Sequence, residues 1–372
     1  MTVIIVLLLL YGSVMVFSAS FPYAVSSYGD GFYFVKRQIF WVIAGCAGMA
    51  LCAALGEEFH KRYTARFGFA VALVCLVLVL ASGASVKRWL NLGFFSFQPS
   101  ELMKPMLILL LAAYMERFQG RIEKNGIGRR GRIVSPRSFR TASLYGTLIP
   151  VGIVAAVCAL IMLENHFSGT IITFCIGAAV IFAGGTLIRW FAGAGSVMMV
   201  GVFAVLFGTD YASERISIWL HPERYSVRDE TWQITQGLIA IGSGGLFGRG
   251  LGNGLQKQLY VSAAHNDFIF SIVCEELGLV GAVAVIILFA LFVIRAISIA
   301  LNSDSVFGAL TAVGIASHVG LQAFLNIGVV TGTIPNTGVT LPFFSYGGSA
   351  LVVLLCECGI LLSVSRGRGN LR

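Results

Sequence analysis

The sequence predicts an all-α polytopic membrane protein with about ten transmembrane helices, in a single domain that extends over residues 1–372. Of the 372 residues, 57% are hydrophobic and only 12% are charged, and the mean hydropathy is +0.86. A soluble domain of this size would lack the polar side chains needed to cover its surface. Apolar stretches of about 20 residues recur along the chain, which is the length that crosses a hydrocarbon core about 30 Å thick.

The order of the predicted helices follows from these stretches and from the positions of arginine and lysine. Eight basic residues cluster between Arg117 and Arg140, and three arginines lie in the tail after residue 365. Basic residues favour the cytoplasmic side, so residues 116–142 are predicted to form a basic cytoplasmic loop, with both termini on the same side. The net charge of +9 is then a topology signal and does not indicate nucleic-acid binding. The ten predicted spans are 2–20, 36–55, 67–84, 100–115, 143–163, 168–184, 188–208, 267–296, 307–329 and 345–365.

This orientation places residues 85–100, 209–266 and 330–344 outside, so a large extracytoplasmic loop is expected between helices 7 and 8. The first span ends in Phe17-Ser18-Ala19-Ser20, which superficially resembles a signal-peptidase site. No basic region precedes it and the apolar run is too long, so we expect a retained helix. All eight cysteines fall in apolar segments, which is typical of small buried residues and not of disulfides.

The first outer motif precedes and opens the fourth span. Pro99-Ser100 is a helix-start signal, and Glu101 and Lys104 are expected on one face of that helix. They could form a capping interaction in which the lysine extends to the membrane surface. Alternatively, Arg88 and Lys104 could together neutralise a pyrophosphate, which needs paired cations.

The second outer motif is a glycine-rich stretch at residues 232–257. Its glycines could cradle a phosphate through backbone amides, but the strand-then-helix context of a nucleotide-binding fold is missing. We therefore expect a re-entrant or surface-lying segment in which glycine permits close backbone packing.

The third motif is centred on Asp267, an ionisable carboxylate at the start of the eighth span. Such a residue usually marks a catalytic group or a substrate or ion pathway. One alternative is an ordinary helix N-cap. Two further carboxylates, Glu275 and Glu276, follow on the same helix, and Asp267 with Glu275 indicates a lined cavity more than a cap. We interpret the neighbouring His265 as a loop residue.

The fourth motif, residues 326–349, contains two prolines and five glycines before Ser349, between flanks of membrane-spanning length. Irregular backbone at membrane depth persists only where protein or a water-filled cavity covers it. This predicts a structured, partly inserted loop beside a substrate site, the alternative being an ordinary loop outside the membrane.

Together the four motifs resemble the SEDS family (shape, elongation, division and sporulation), nearly end to end. Thr340 before Leu341-Pro342 is similar to the FtsW and SpoVE branch rather than to RodA. The resemblance is most specific in Phe97-Gln98-Pro99-Ser100-Glu101, in Asp267-Phe268-Ile269-Phe270 with Glu275-Glu276-Leu277-Gly278, and in Leu341-Pro342-Phe343-Phe344-Ser345-Tyr346-Gly347-Gly348-Ser349.

The resemblance implies a ten-helix peptidoglycan glycosyltransferase that polymerises lipid II at the outer face of the cytoplasmic membrane, with inversion of the donor. It implies Asp267 as the catalytic residue, and Arg88, Glu101, Lys104 and Glu275 as substrate-binding residues. It also implies a class B penicillin-binding protein as partner, within the division or related cell-wall machinery. No cofactor and no metal-ligand residues are assigned, although Mg²⁺ or Mn²⁺ could assist the leaving pyrophosphate.

One departure and two alternatives accompany this interpretation. Where the family usually shows a Gln-Pro-Asp-hydrophobic-Gly-Thr motif, this chain has Glu164-Asn165-His166-Phe167-Ser168-Gly169-Thr170, so no role is predicted for polar groups there. The alternatives are a lipid II flippase, with the acids as a polar path, and a non-catalytic scaffold for a transpeptidase. The flippase is disfavoured because the polar motifs cluster on the outer side, and a scaffold would not need Asp267.

Overall fold

The computed structural model describes residues 1–81, 88–91, 96–126, 136–186, 190, 193, 195–196, 210–226, 231–261 and 264–366. Within these residues the regular secondary structure is helical, apart from one short antiparallel pair of strands, β1 (Leu90–Asn91) and β2 (Ser96–Phe97). The helices are α1 (Thr2–Tyr28), α2 (Tyr33–Leu55), α3 (Glu57–Ala81), α4 (Pro99–Gly126), α5 (Pro136–Ser143), α6 (Ile149–Leu163), α7 (Phe167–Ala183), α8 (Asp210–Leu220), α9 (Trp232–Gly244), α10 (Ile269–Leu301), α11 (Val306–Val330) and α12 (Gly348–Arg366).

Two compact units make up the chain. The first unit comprises Met1–Ala44, Val200–Phe292 and Val319–Leu351. The second comprises Gly45–Met199, Val293–His318 and Val352–Arg372. Several sequence-distant segments contribute to each unit, so each has a core of its own.

Seven helical segments of the described residues are long and apolar enough to cross a membrane, which confirms the all-α membrane fold. They are α1, α2, α3, the continuous segment Arg140–Leu163, α10, α11 and α12. The predicted span 168–184 matches the shorter apolar helix α7, whereas most of the span 188–208 lies outside the described residues. The count of ten therefore stays a prediction.

The predicted loops contain more helix than expected. Helix α4 continues to Gly126, well into the predicted cytoplasmic loop, because the segment after residue 115 is rich in the strong helix formers glutamate, arginine, glutamine and lysine. The segment 209–266 likewise contains α8 and α9. Composition alone did not distinguish helix from coil in either place.

The glycine-rich stretch packs against a kink in α10. At Gly278 the backbone leaves the helical region (φ 65°, ψ −163°). The amides of Leu279 and Val280 donate instead to the carbonyls of Gly245 and Leu246, at 2.9 and 3.1 Å. A Cβ atom added at Gly248 would lie 2.1 Å from the Glu276 carbonyl oxygen. The close backbone packing predicted for this stretch is thus confirmed.

Candidate active site

The backbone around Asp267 is fixed by the long irregular segment between α11 and α12. The Asn326 side-chain amide donates to the carbonyls of Asp267 (2.7 Å) and Val339 (2.6 Å). The Ser345 hydroxyl donates to the Asn266 carbonyl (2.7 Å) and accepts the Leu341 amide (2.7 Å). These bonds show that Asn326 on α11 and the segment 331–347 together hold the turn that contains Asp267. The segment is structured, as the sequence predicted, and its partial insertion into the membrane stays a prediction.

The Asp267 carboxyl is half-buried just before α10 begins at Ile269. Burial raises its pKa above the usual range, and the nearby Arg215 guanidinium opposes that rise. Among the described residues, no first-turn amide of α10 donates a hydrogen bond to this carboxylate, so the N-cap alternative is not what the geometry provides. Arg215, on α8, was missed from the sequence because it belongs to no motif; it also donates to the Asn336 carbonyl.

His265 packs as an aromatic ring in the same unit. Its ring centroid lies 4.6 Å from that of Phe34, 5.4 Å from that of Tyr23 and 5.9 Å from that of Tyr346. Burial lowers its pKa to about 4, so the ring is neutral at physiological pH. The ring contacts support the interpretation of His265 as a packed loop residue, and its low pKa makes it a weak base.

The structure gives Glu275 a role different from the substrate contact that the sequence predicts. Its side chain is fully buried. One carboxylate oxygen accepts the Leu255 amide at 2.7 Å, and the other accepts the Gln256 amide at 3.1 Å. We therefore reassign Glu275 as the residue that holds the glycine-rich loop, because α10 turns it inward against that loop.

Beside Glu275, a buried triad of Lys257, Glu276 and Ser18 ties the same loop to α1 and α10. The Lys257 ammonium lies 2.6 Å from Glu276 Oε1 and donates to Ser18 Oγ at 2.8 Å. The Ser18 hydroxyl lies 2.6 Å from Glu276 Oε2, which also accepts the Gly252 amide at 3.0 Å. Lys257 is only 4% exposed and Glu276 is not exposed at all. Every member of this charged cluster is thus compensated.

In the second unit, Arg88 docks on the turn between α6 and α7. Its guanidinium donates to the backbone carbonyls of Glu164, at 3.4 Å, and Asn165. His166 Nδ1 lies 3.3 Å from Ser100 Oγ and 3.4 Å from Gln98 Nε2 at the start of α4. The altered 164–170 motif therefore contacts both the segment that contains Arg88 and the start of α4, which carries Glu101 and Lys104.

Glu101 and Lys104 form the predicted ion pair, with 2.8 Å between Oε2 and Nζ. The Lys104 side chain is only 2% exposed, which contradicts the alternative in which it extends to the membrane surface. A second buried pair, His318 on α11 with Glu357 on α12, lies in the same unit at 2.9 Å. Both residues lie in apolar stretches of the sequence. An ionisable residue in such a stretch indicates a functional or paired position, but the sequence does not show which residue it pairs with.

The Glu164 carboxyl lies between α6 and α7 in a strongly desolvated position. It is 1% exposed, and neither oxygen has a hydrogen-bond partner among the described residues. Burial raises its pKa to about 8, partly offset by Arg88. Burial also lowers the pKa of His166 to about 4. Both groups are consequently uncharged near neutral pH.

Glu164 predicts a pH dependence of stability. Its pKa is higher in the folded than in the unfolded chain, so its contribution is complete below about pH 4.5 and is lost as the pH rises to about 8. The lowered pKa values of His166 and His265 act only below about pH 6.5, in the opposite direction. We expect the melting temperature to fall between about pH 6.5 and 8, and Glu164→Gln to flatten that slope. An unchanged slope in Glu164→Gln would contradict the assignment.

The described residues do not build a protein cage for a metal ion. No group of three or more histidine, cysteine, aspartate or glutamate side chains comes together among them in a way that could hold one. All eight cysteines are free. We therefore derive no mechanistic step through a metal.

These features define a multi-pass membrane protein with a half-buried acid at the mouth of a membrane helix. A family model described as cell cycle protein, for FtsW, RodA and SpoVE, matches residues 1–370. The chain belongs to this family.

Named relatives support the same assignment. A probable peptidoglycan glycosyltransferase FtsW from Geobacter sp. (strain M18) is 36% identical, over 98% of this chain and 95% of the relative. Stage V sporulation protein E from Bacillus subtilis (strain 168) is 37% identical, over 98% of this chain and 96% of the relative.

Solved structures share the fold. A chain from a peptidoglycan synthase complex, described for its coordination of polymerization and crosslinking, has a TM-score of 0.73 at 27% identity, covering 96% of this chain and 97% of that chain. Rod shape determining protein RodA from Thermus thermophilus has a TM-score of 0.65 at 27% identity, covering 97% of both chains.

Proposed function

We propose that this protein is a peptidoglycan glycosyltransferase that polymerises lipid II into β-1,4 glycan strands at the outer face of the cytoplasmic membrane, in division, sporulation or growth. The observation that carries the proposal is the half-buried Asp267 carboxylate with its raised pKa, held at the mouth of α10 by Asn326 and the 331–347 loop. The names of the relatives support the same reaction.

The proposed chemistry needs a base on the acceptor sugar. The acceptor hydroxyl attacks the anomeric carbon of the donor, a new glycosidic bond forms, and the bond from that carbon to the lipid pyrophosphate breaks. Asp267 takes the hydroxyl proton, and a raised pKa makes it a better acceptor than an ordinary aspartate. A positioned base of this kind contributes roughly 10²–10⁴-fold.

Arg88 and Lys104 are proposed to act on the donor pyrophosphate, where negative charge develops as the bond breaks. Glu101 holds the buried Lys104 ammonium in place through their 2.8 Å ion pair. Arg88 is oriented by the Glu164 and Asn165 carbonyls. Glu101 is thus proposed to position a cation, which is its contribution to substrate binding.

We expect Arg88→Gln and Lys104→Gln each to reduce the polymerisation rate, because each removes a cation from the pyrophosphate. Arg88→Lys should recover less than half of the loss, because an ammonium cannot satisfy two carbonyls and a phosphate in the same geometry. The rate and the melting temperature should be measured on the same detergent-solubilised samples. A lowered melting temperature with an unchanged rate would remove the residue from the active site.

The family and the apolar helices make this a multi-pass inner-membrane protein. We propose that both termini and residues 116–142 are cytoplasmic and that 209–266 is extracytoplasmic. The similarity to a synthase complex supports a partner that crosslinks the glycan, of the class B penicillin-binding type, within the cell-wall machinery.

The orientation predicts which cysteine replacements an impermeant thiol reagent will label in intact cells. Asn253→Cys, at an exposed position of the outer loop, should be labelled. Arg130→Cys, in the basic loop, should be labelled only after permeabilisation. Labelling of Arg130→Cys in intact cells would invert the topology and with it the proposed site.

The function itself is tested by incubating the purified protein with lipid II, alone and with its cognate transpeptidase, and resolving glycan chains on a gel. We expect polymer that forms without ATP. A parallel sample with EDTA reports any requirement for Mg²⁺ or Mn²⁺. Lipid II translocation across vesicles without any polymer would favour the flippase. No polymer in either sample, with the transpeptidase still bound by the protein, would favour the scaffold.

A further inference from the structure

The most exposed apolar residues of the outer segment lie at the tip of the glycine-rich loop. We call residues 245–249 the loop tip. Phe247 is 80% exposed and Leu246 is 63% exposed. Arg249 follows them and is also exposed. If the tip lay in water, two large apolar side chains would be exposed to solvent, which is unfavourable.

The backbone hydrogen bonds of the tip fix its level along α10. The Val280 amide donates to the Leu246 carbonyl at 3.1 Å, so the tip lies beside the turn that contains Leu279 and Val280. Both of these residues are more than half exposed. The tip and this turn therefore present one continuous apolar surface.

Counting along α10 locates that turn relative to the membrane. The segment from Leu277 to Ile294 has no ionisable side chain, and the exposed Arg295 follows it. With a rise of about 1.5 Å per residue, a hydrocarbon core about 30 Å thick needs roughly 20 residues. Counted back from Arg295, the core ends near Glu275. Leu279 and Val280 consequently lie four and five residues inside its outer edge, at a depth of about 6–8 Å.

We propose that the loop tip inserts into the outer leaflet of the membrane. The side chains of Leu246 and Phe247 lie among the lipid acyl chains, and Arg249 lies at the level of the lipid phosphates. Four backbone groups of the tip are already paired, which lowers the cost of insertion. The Gly245 and Leu246 carbonyls accept from α10, and the Gly248 and Arg249 amides donate to the carbonyls of Gly244 and Glu275.

This inference decides between the two arrangements that the sequence left open for the glycine-rich stretch, in favour of the re-entrant one. It also changes part of the predicted extracytoplasmic loop 209–266, since residues 245–249 would lie at membrane depth. Lipid is favoured over a protein partner because the apolar surface of the tip continues into the lipid-facing turn of α10.

The test measures the depth of single nitroxide labels in the full-length protein. Labels are placed at Phe247→Cys, at the matched loop control Asn253→Cys and at the membrane reference Val283→Cys, with the native cysteines replaced by alanine. The protein is reconstituted in vesicles of phosphatidylethanolamine and phosphatidylglycerol. Collision rates with molecular oxygen and with a water-soluble nickel chelate are then compared.

We expect the Phe247 label to favour oxygen, like the label at Val283, and the Asn253 label to favour nickel. A Phe247 label as accessible to nickel as that at Asn253 would overturn the proposal and indicate a tip free for a protein partner. If the cysteine-free protein does not fold, impermeant maleimide labelling in the native background replaces the measurement. There Asn253→Cys should react at least tenfold faster than Phe247→Cys, and equal rates would overturn the proposal.

Discussion

Asp267→Asn should abolish glycan polymerisation while the protein stays folded and inserted in the membrane. The amide keeps the shape of the side chain but cannot accept the proton of the acceptor hydroxyl. The loss should be roughly 10²–10⁴-fold, the usual contribution of a positioned base. It should appear in the turnover rate of lipid II and not in the expression or the melting temperature of the protein.

A matched control is available in Asp304→Asn, which makes the same chemical change at an exposed position between α10 and α11. The control should retain the full rate. Polymerisation by Asp267→Asn at a rate comparable to that of the control would end the catalytic assignment of Asp267.

The second large effect is expected from the buried triad. Removing the ammonium with Lys257→Met leaves the Glu276 carboxylate buried without its counter-ion, which destabilises a protein by about 3–5 kcal/mol. Glu276→Leu should destabilise comparably, by leaving Lys257 uncompensated. The double variant should be more stable than either single variant, because no unpaired charge remains. Thermal unfolding in detergent measures all three.

The exposed pair of Lys36 and Asp30 provides the control for this comparison. Its two atoms lie 2.8 Å apart, yet the side chains are 71% and 42% exposed. Lys36→Met should therefore leave the melting temperature nearly unchanged. If Lys257→Met had the same melting temperature as Lys36→Met, the triad would not be what holds the loop.

The glycine-rich stretch shows where sequence-based reasoning stops. Its composition indicated close backbone packing, and this was correct. Its partner is the kink at Gly278, which a regular apolar pattern such as that of α10 does not reveal. Glu275 illustrates the same limit: the family resemblance implied a substrate-binding residue, but its carboxylate accepts loop amides in the structure. The sequence showed a carboxylate in an apolar helix, but its hydrogen-bond partners lie in a loop about 20 residues earlier in the chain.

The sequence by itself determined the all-α membrane class, the helix start at Pro99, the shared helix face of Glu101 and Lys104, and a structured segment before α12. These depend on length, hydropathy and helical spacing, which are local properties of the chain. Only the tertiary structure decided that Lys104 is buried, that Arg215 acts on Asp267 and that Lys257, Glu276 and Ser18 form a triad. Each of these depends on side chains brought together from distant segments, and in a low-dielectric interior such neighbours decide whether a charge is buried, paired or shifted in pKa.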